Sequence, residues 1–183
     1  MKKCTIYEPY LDLGANPVVT GHKNSKIVII GQAPGIKVHT SEIPWDDASG
    51  KQLRKWLNVS DEDFYDVEKF AIVPMGFCYP RKGKSGDKPP RKKCAPQWHQ
   101  QLFELMPNLQ MILLIGMYAQ NYYLKDNAKR TLTETVDNYP AYLPKYFILP
   151  HPSPRNRFWL TKNLWFKKNI VPELQERVAT IIN

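Results

Sequence analysis

The residues best equipped for chemistry sit in two short polar turns. Gly31-Gln32-Ala33-Pro34-Gly35 follows the apolar run 26–30, and His151-Pro152-Ser153-Pro154-Arg155-Asn156 follows the apolar run 146–149. Gly31 and Gly35 let backbone approach a ligand closely, while Pro34 stiffens the turn between them. The first turn lacks the third glycine of a dinucleotide fingerprint and the Gly-Lys-Ser/Thr ending of a phosphate loop. In the second turn, prolines hold the backbone extended around His151, which could donate a hydrogen bond to a growing anion or only tie down its loop. Ser153, Arg155 and Asn156 bring hydroxyl, guanidinium and amide donors suited to phosphate.

Between these turns lies Pro44-Trp45-Asp46-Asp47. Trp45 could pack beneath its loop or offer its face to a planar ligand, where stacking on a nucleobase is worth ~1–3 kcal/mol. Asp46 and Asp47 are suited to capping the helix that follows or to orienting a water molecule, a role also open to His39. Three cysteines, Cys4, Cys78 and Cys94, cannot all pair with one another, which leaves them as buried small hydrophobes or as part of a metal or cluster site.

Four apolar runs without alternation, at 26–30, 70–73, 111–115 and 146–149, have the character of strands buried on both faces of a parallel sheet. Helical spacing appears over 49–57, where Leu53, Trp56 and Leu57 share a face, and over 95–105, where Trp98, Leu102 and Leu105 do. It recurs over 117–124 and over 163–182, with Pro172 bending or interrupting the last. Strands alternating with helices predict right-handed crossovers and an α/β fold: a three-layer α/β/α domain around a central four-stranded parallel sheet. Every strand then points its carboxyl end at one edge, where such sheets bind ligands, so the two polar turns are expected to share one site.

A chain of 183 residues is long enough for one domain with a core of its own, here taken as 1–183 with an irregular lead-in over 1–25. An apolar share of 43% and a charged share of 23% suit a soluble globular protein. No segment approaches a membrane span and the start lacks the apolar stretch of a signal peptide, so an intracellular, cytoplasmic monomer is expected. Lys and Arg outnumber Asp and Glu by 26 to 17, a net +9. Seven of the basic residues, with one acidic residue, crowd into 81–93 within a Gly- and Pro-containing stretch, read as a mobile basic loop over 79–94 that favours a polyanionic partner.

Taken in order, these pieces resemble the uracil-DNA glycosylase superfamily, most closely its family 4 enzymes of bacteria and archaea. The likeness runs through Gly31-Gln32-Ala33-Pro34-Gly35, Pro44-Trp45 with Gly50, the stretch from Cys78 to Cys94, the strand at 111–116 and His151-Pro152-Ser153. It implies hydrolysis of the N-glycosidic bond of uracil or a related deaminated base flipped out of DNA, the step that initiates base excision repair. By this resemblance His151 hydrogen-bonds the oxygen of the departing base, backbone N–H groups of Gln32 and Ala33 line the base pocket with Gly31, and Trp45 stacks on the base. Pro34, Pro152 and Ser153 would grip the flanking phosphates with Ser49 and Gly50 at a helix start, and Arg155 or Pro154 would sit near the gap left by the flipped base.

Three positions depart from that pattern. Family 4 has a Glu where this chain has Gln32, and Ala33 supplies no water-positioning side chain, which leaves Asp46 and Asp47 as catalytic candidates. Pro74 replaces the Asn that reads uracil, so either the backbone of 73–77, as far as Phe77, reads the base or the preferred base differs. Tyr7 replaces one of the four cysteines that bind the family's iron-sulfur cluster, so Cys4, Cys78 and Cys94 are one ligand short, and a cluster is either absent or bound with a substitute such as Glu8 or Tyr7; its role would be structural, and the chemistry needs no cofactor. The same departures suit an alternative, a damaged-DNA or single-strand binding protein of this fold with little or no catalysis. A third reading is an α/β enzyme acting on free nucleotides.

Overall fold

The computed structural model describes residues 4–84 and 86–183; the first three residues of the lead-in and Ser85 of the basic loop lie outside them. The strands are β1 (Ile27–Ile30), β2 (Phe70–Ile72), β3 (Lys82–Gly83), β4 (Gly86–Asp87), β5 (Met111–Ile115) and β6 (Tyr146–Leu149). The helices are α1 (Ile36–Ser41), α2 (Ala48–Leu57), α3 (Asp61–Tyr65), α4 (Cys94–Glu104), α5 (Met117–Leu124), α6 (Leu132–Asp137), α7 (Arg157–Lys162) and α8 (Val171–Ile182).

Four strands form a parallel sheet in the order β2-β1-β5-β6, flanked by helices, as the apolar runs predict. β1 and β5 are central and buried along their whole length, which is why Ile27–Ile30 and Met111–Ile115 carry no polar alternation. After β2 the chain passes over β1 to reach β5, so the direction of winding reverses between β1 and β5. A crevice opens at the carboxyl ends of the strands at such a point, and the first turn leaves β1 there.

α2 turns Leu53, Trp56 and Leu57 inward and packs on α8. Trp56 meets Phe166 edge to face at 4.9 Å, a geometry that stabilises aromatic pairs beyond their buried area. The long helix expected over 163–182 is interrupted: a π-helical turn spans Phe166–Ile170, and Pro172 falls in the first turn of α8. There a missing N–H leaves no hydrogen bond unmade, so the proline starts the helix. Trp98 and Leu102 of α4 pack against the core as expected, but they are not its most buried residues. The helix buries Cys94, Ala95 and His99, while Leu105 lies past its end and is 67% exposed.

The basic stretch is not a free loop. Its centre folds into the β3–β4 hairpin, and its flanks are fastened to the lead-in. Arg81 pairs with Asp12 at 3.1 Å, Arg91 donates to the Tyr10 carbonyl at 2.6 Å, and the Lys93 N–H donates to the Tyr7 hydroxyl at 3.1 Å. The lead-in itself joins the sheet edge through Thr20 and Ile72 and through a bond from the Val18 N–H to the Phe77 carbonyl. No helix among the described residues is long and apolar enough to cross a membrane.

Candidate functional site

Both polar turns open into one cavity of about 400 Å³ at the carboxyl edge of the sheet, within the range of small-molecule pockets. From the first turn, Gly31, Gln32, Ala33 and Pro34 line it; from the second, His151, Ser153, Arg155 and Asn156 do. Backbone bonds fix the first turn: the Met75 N–H donates to the Gly31 carbonyl at 2.9 Å and the Gly76 N–H to the Gln32 carbonyl at 3.0 Å. These bonds extend the β1–β2 pairing past the strand ends and hold Pro74 beside Gly31.

Trp45 is half-buried on the cavity wall, its ring 5.7 Å from the His151 ring and inclined by 33°. Its backbone is left-handed, with φ of 58°, a conformation that costs a non-glycine residue about 1–2 kcal/mol. Packing sustains it. A Cβ on Gly31 would come within 2.7 Å of Trp45 Cζ2, and one on Gly50 would overlap the Trp45 carbonyl, so both glycines exist here for close approach. The buried Arg54 adds a bond from Nη1 to that carbonyl at 3.4 Å and an ion pair to Asp61 at 2.6 Å.

Five residues expected at the site, Gly50, Asp46, Phe77, Pro152 and His39, lie outside the cavity lining. Gly50 does not line the cavity: it makes room for Trp45 and gives its N–H to Asp47 Oδ1 at 2.8 Å. Asp47 is therefore the cap of α2, although it also reaches the cavity, whereas Asp46 is exposed on the side of Tyr65 and does not. Phe77 lies away from the cavity, buried with its ring 5.7 Å from His99, because the chain past Pro74 dives beneath the lead-in. Pro152 is buried and outside the lining, and His39 sits in α1 with its ring 6.0 Å from Tyr79. Ser49 does line the cavity.

His151 is held below the usual histidine range, chiefly by burial, with the nearby Asp47 carboxylate opposing that shift. The imidazole is thus neutral near pH 7 and can donate a hydrogen bond without carrying charge. The Asn156 side chain braces it by donating to the His151 carbonyl at 2.7 Å, and the Ser153 hydroxyl accepts from the Arg155 N–H at 3.2 Å. Part of the donor set expected to face phosphate therefore shapes the turn instead.

Sequence reasoning missed several contributors. Val18, Ile72, Pro74 and Pro80 give the cavity an apolar stretch of wall, and Asp87 of β4 adds a carboxylate. Gly116, just past β5, lies against His151: a Cβ there would be 3.5 Å from the His151 Cβ. His99 lies behind Pro74, with Nε2 donating to the Pro74 carbonyl at 3.0 Å and Nδ1 accepting from the Tyr123 hydroxyl. Only the polar character of His99 on an otherwise apolar face signalled it in the sequence.

The cysteines meet in a separate void of about 20 Å³, where Cys4, Cys78 and Cys94 converge with Tyr7 and Phe77. Burial pushes the Cys78 thiol up to about 11 and raises that of Cys94. The Tyr7 oxygen already accepts from the Lys93 N–H, and among the described residues no group of His, Cys, Asp or Glu is arranged to hold a metal ion. Three thiols and an engaged phenol do not fit a four-thiolate iron-sulfur cluster.

A fold with these features is already represented among known structures. The solution NMR structure of a "putative uracil DNA glycosylase" from Methanosarcina acetivorans superposes with a TM-score of 0.55 at 16% sequence identity, covering 90% of this chain and 96% of that one. At that identity the likeness establishes the fold. The family evidence is stronger, because a model of the uracil DNA glycosylase superfamily matches residues 18–175, which contain both polar turns and every strand of the main sheet. The chain belongs to the uracil DNA glycosylase superfamily.

Proposed function

We propose that this protein is a monofunctional DNA glycosylase that hydrolyses the N-glycosidic bond of uracil or a related deaminated base flipped out of DNA. The observation that carries the reading is the joint placement of Trp45 and His151, 5.7 Å apart on the wall of a 400 Å³ cavity at the sheet edge. A flipped base entering that cavity stacks on the Trp45 ring. Negative charge gathers on a carbonyl oxygen of the base as the glycosidic bond lengthens, and the neutral His151 imidazole donates to that oxygen, stabilising the transition state more than the ground state. Arg155 and Ser153 at the cavity mouth and the surplus of basic residues favour the DNA backbone. Within the superfamily, the Gly31 to Gly35 turn and the three cysteine positions support a likeness to family 4, with a cysteine site that serves packing.

The test is release of free base from single-stranded and mismatched oligonucleotides carrying uracil, hypoxanthine or xanthine. One of these is cleaved, and His151→Ala slows its single-turnover release by about 100-fold or more while changing DNA affinity little. Folded protein that releases none of the three bases would sink the assignment. The apolar wall of Val18, Ile72, Pro74 and Pro80 and the missing carboxylate at Ala33 favour one other reading, a lesion-binding protein of this fold. Tight, salt-sensitive binding to uracil-containing or abasic DNA without turnover selects it.

A further inference from the structure

Hydrolysis needs a positioned and activated water; Ala33 has no polar side chain, and the neighbouring Gln32 amide is too weak a base to activate one. Two carboxylates line the cavity, those of Asp47 and Asp87. Asp47 spends Oδ1 on the Gly50 N–H as the cap of α2. Asp87 has a different setting. It lies on β4, whose hairpin touches both polar turns. The Gln32 side chain donates to the Lys88 carbonyl at 3.4 Å, Asp87 Oδ2 stands 3.7 Å from where a Cβ on Gly35 would be, and the Arg155 guanidinium lies against Gly86. The Tyr79 hydroxyl orients the carboxylate by donating to Oδ1 at 3.4 Å, and burial together with the nearby Asp87 charge raises the Tyr79 pKa, so it remains a donor.

We infer that Asp87, delivered by the β3–β4 hairpin, is the carboxylate that holds and activates the attacking water, in place of an acid in the first turn. The inference rests on the glycosylase reading above. Asp87 accepts a hydrogen bond from the water, whose oxygen bonds to C1′ of the deoxyribose as the C1′–N bond breaks and its electron pair leaves with the base. The water proton passes to the Asp87 carboxylate and from there to solvent, and the departed base anion takes up a proton. The same negative charge favours the cationic character of the sugar in the transition state. Tyr79 is a positioning residue. The exposed Lys82, Lys84 and Lys92 of the basic stretch then serve to dock the hairpin on DNA, which brings its one carboxylate to the reacting sugar.

The experiment compares wild type, Asp87→Asn, Asp87→Glu and Asp47→Asn on the oligonucleotide that wild type cleaves best, with single-turnover rates and DNA affinity by fluorescence anisotropy. Asp87→Asn is expected to lower the rate by about 100-fold or more and to leave affinity equal or tighter, since a negative charge near phosphate is gone. Asp87→Glu recovers part of the rate, and Asp47→Asn, which keeps its cap, loses less than Asp87→Asn. Active wild type with an Asp87→Asn rate within about threefold of it, far short of the usual effect of a catalytic acid or base, overturns the inference and leaves the glycosylase reading intact, as does a larger loss for Asp47→Asn. Inactive wild type defeats the glycosylase reading, and the role of Asp87 falls with it. Weaker DNA binding in parallel with the lost rate marks Asp87 as a support of the hairpin and overturns its place at the water.

Discussion

His99 should make this protein acid-sensitive through a residue that never touches the ligand cavity. It is 2% exposed on α4, and its ring bridges the Pro74 carbonyl and the Tyr123 hydroxyl. A carbonyl can only accept, so Nε2 carries the proton and Nδ1 accepts from Tyr123, whose own pKa burial drives upward. Burial pushes the imidazole down from 6.5 to about 4, with the Pro74 carbonyl opposing that shift. The folded state therefore resists protonation while the unfolded chain accepts it. Stability is fully present above about pH 6.5, falls as pH drops through that value, and levels off below about pH 4. At about 1.4 kcal/mol per pH unit the gap corresponds to about 3 kcal/mol, of which about 2 kcal/mol is lost between pH 7 and pH 5.

Urea unfolding of wild type and His99→Gln at pH 7, 6 and 5 measures this directly. Gln keeps a donor for the Pro74 carbonyl and removes the titration. Wild type starts more stable and converges on the variant as pH falls, closing the difference by about 2 kcal/mol; in thermal melts of a chain this size the same change is about 4–8 °C. His151, also depressed by burial, contributes the same sign to both proteins and cancels in the comparison. Stability curves that stay parallel from pH 7 to pH 5 would show that His99 does not titrate differently in the folded and unfolded states.

Gly31→Ala places a methyl 2.7 Å from Trp45 Cζ2, so it should cost about 1–3 kcal/mol of stability, alter Trp45 fluorescence and slow base release at least tenfold, whereas an unchanged rate would detach Trp45 from the chemistry. Tyr7→Cys supplies the fourth thiol facing the cysteine void; after anaerobic iron-sulfide reconstitution the variant should retain iron that wild type does not, and equal iron in both would show that Tyr7 is no bar to a cluster.

How much of the fold could be read from the chain depended on how far each segment's environment was local. The four strands of the parallel sheet were legible because burial on both faces demands unbroken apolar runs, and Met111–Ile115 and Tyr146–Leu149 match their expected limits. Short α1, α3 and α6 were not read as helices, since five or six residues give too little periodicity to distinguish a helix from a turn. Trp98 and Leu102 of α4 pack against the core as their spacing predicts, whereas Leu105 does not; hydropathy ranks it above His99, and only the Pro74 carbonyl and Tyr123, distant in sequence, make the histidine the better buried residue. Gly50 was read for what it could bind, yet its reason is a carbonyl five residues earlier that no pattern announces.

The site divides along the same line. Residues that act through position at a strand end, such as Gly31, Ala33, His151 and Ser153, were visible because strand ends are visible, and all four line the cavity. Asp87 is the one acidic residue of a basic run, and nothing local in the sequence sets it apart. Its meaning comes from a hairpin that carries it to Gly35, 52 positions earlier in the chain, and to the neighbourhood of Arg155. A first turn without an acid is therefore a weak argument against hydrolysis. A cavity lined by several separate segments can draw its carboxylate from any of them, and the segment with the greatest reason to approach DNA is the basic one.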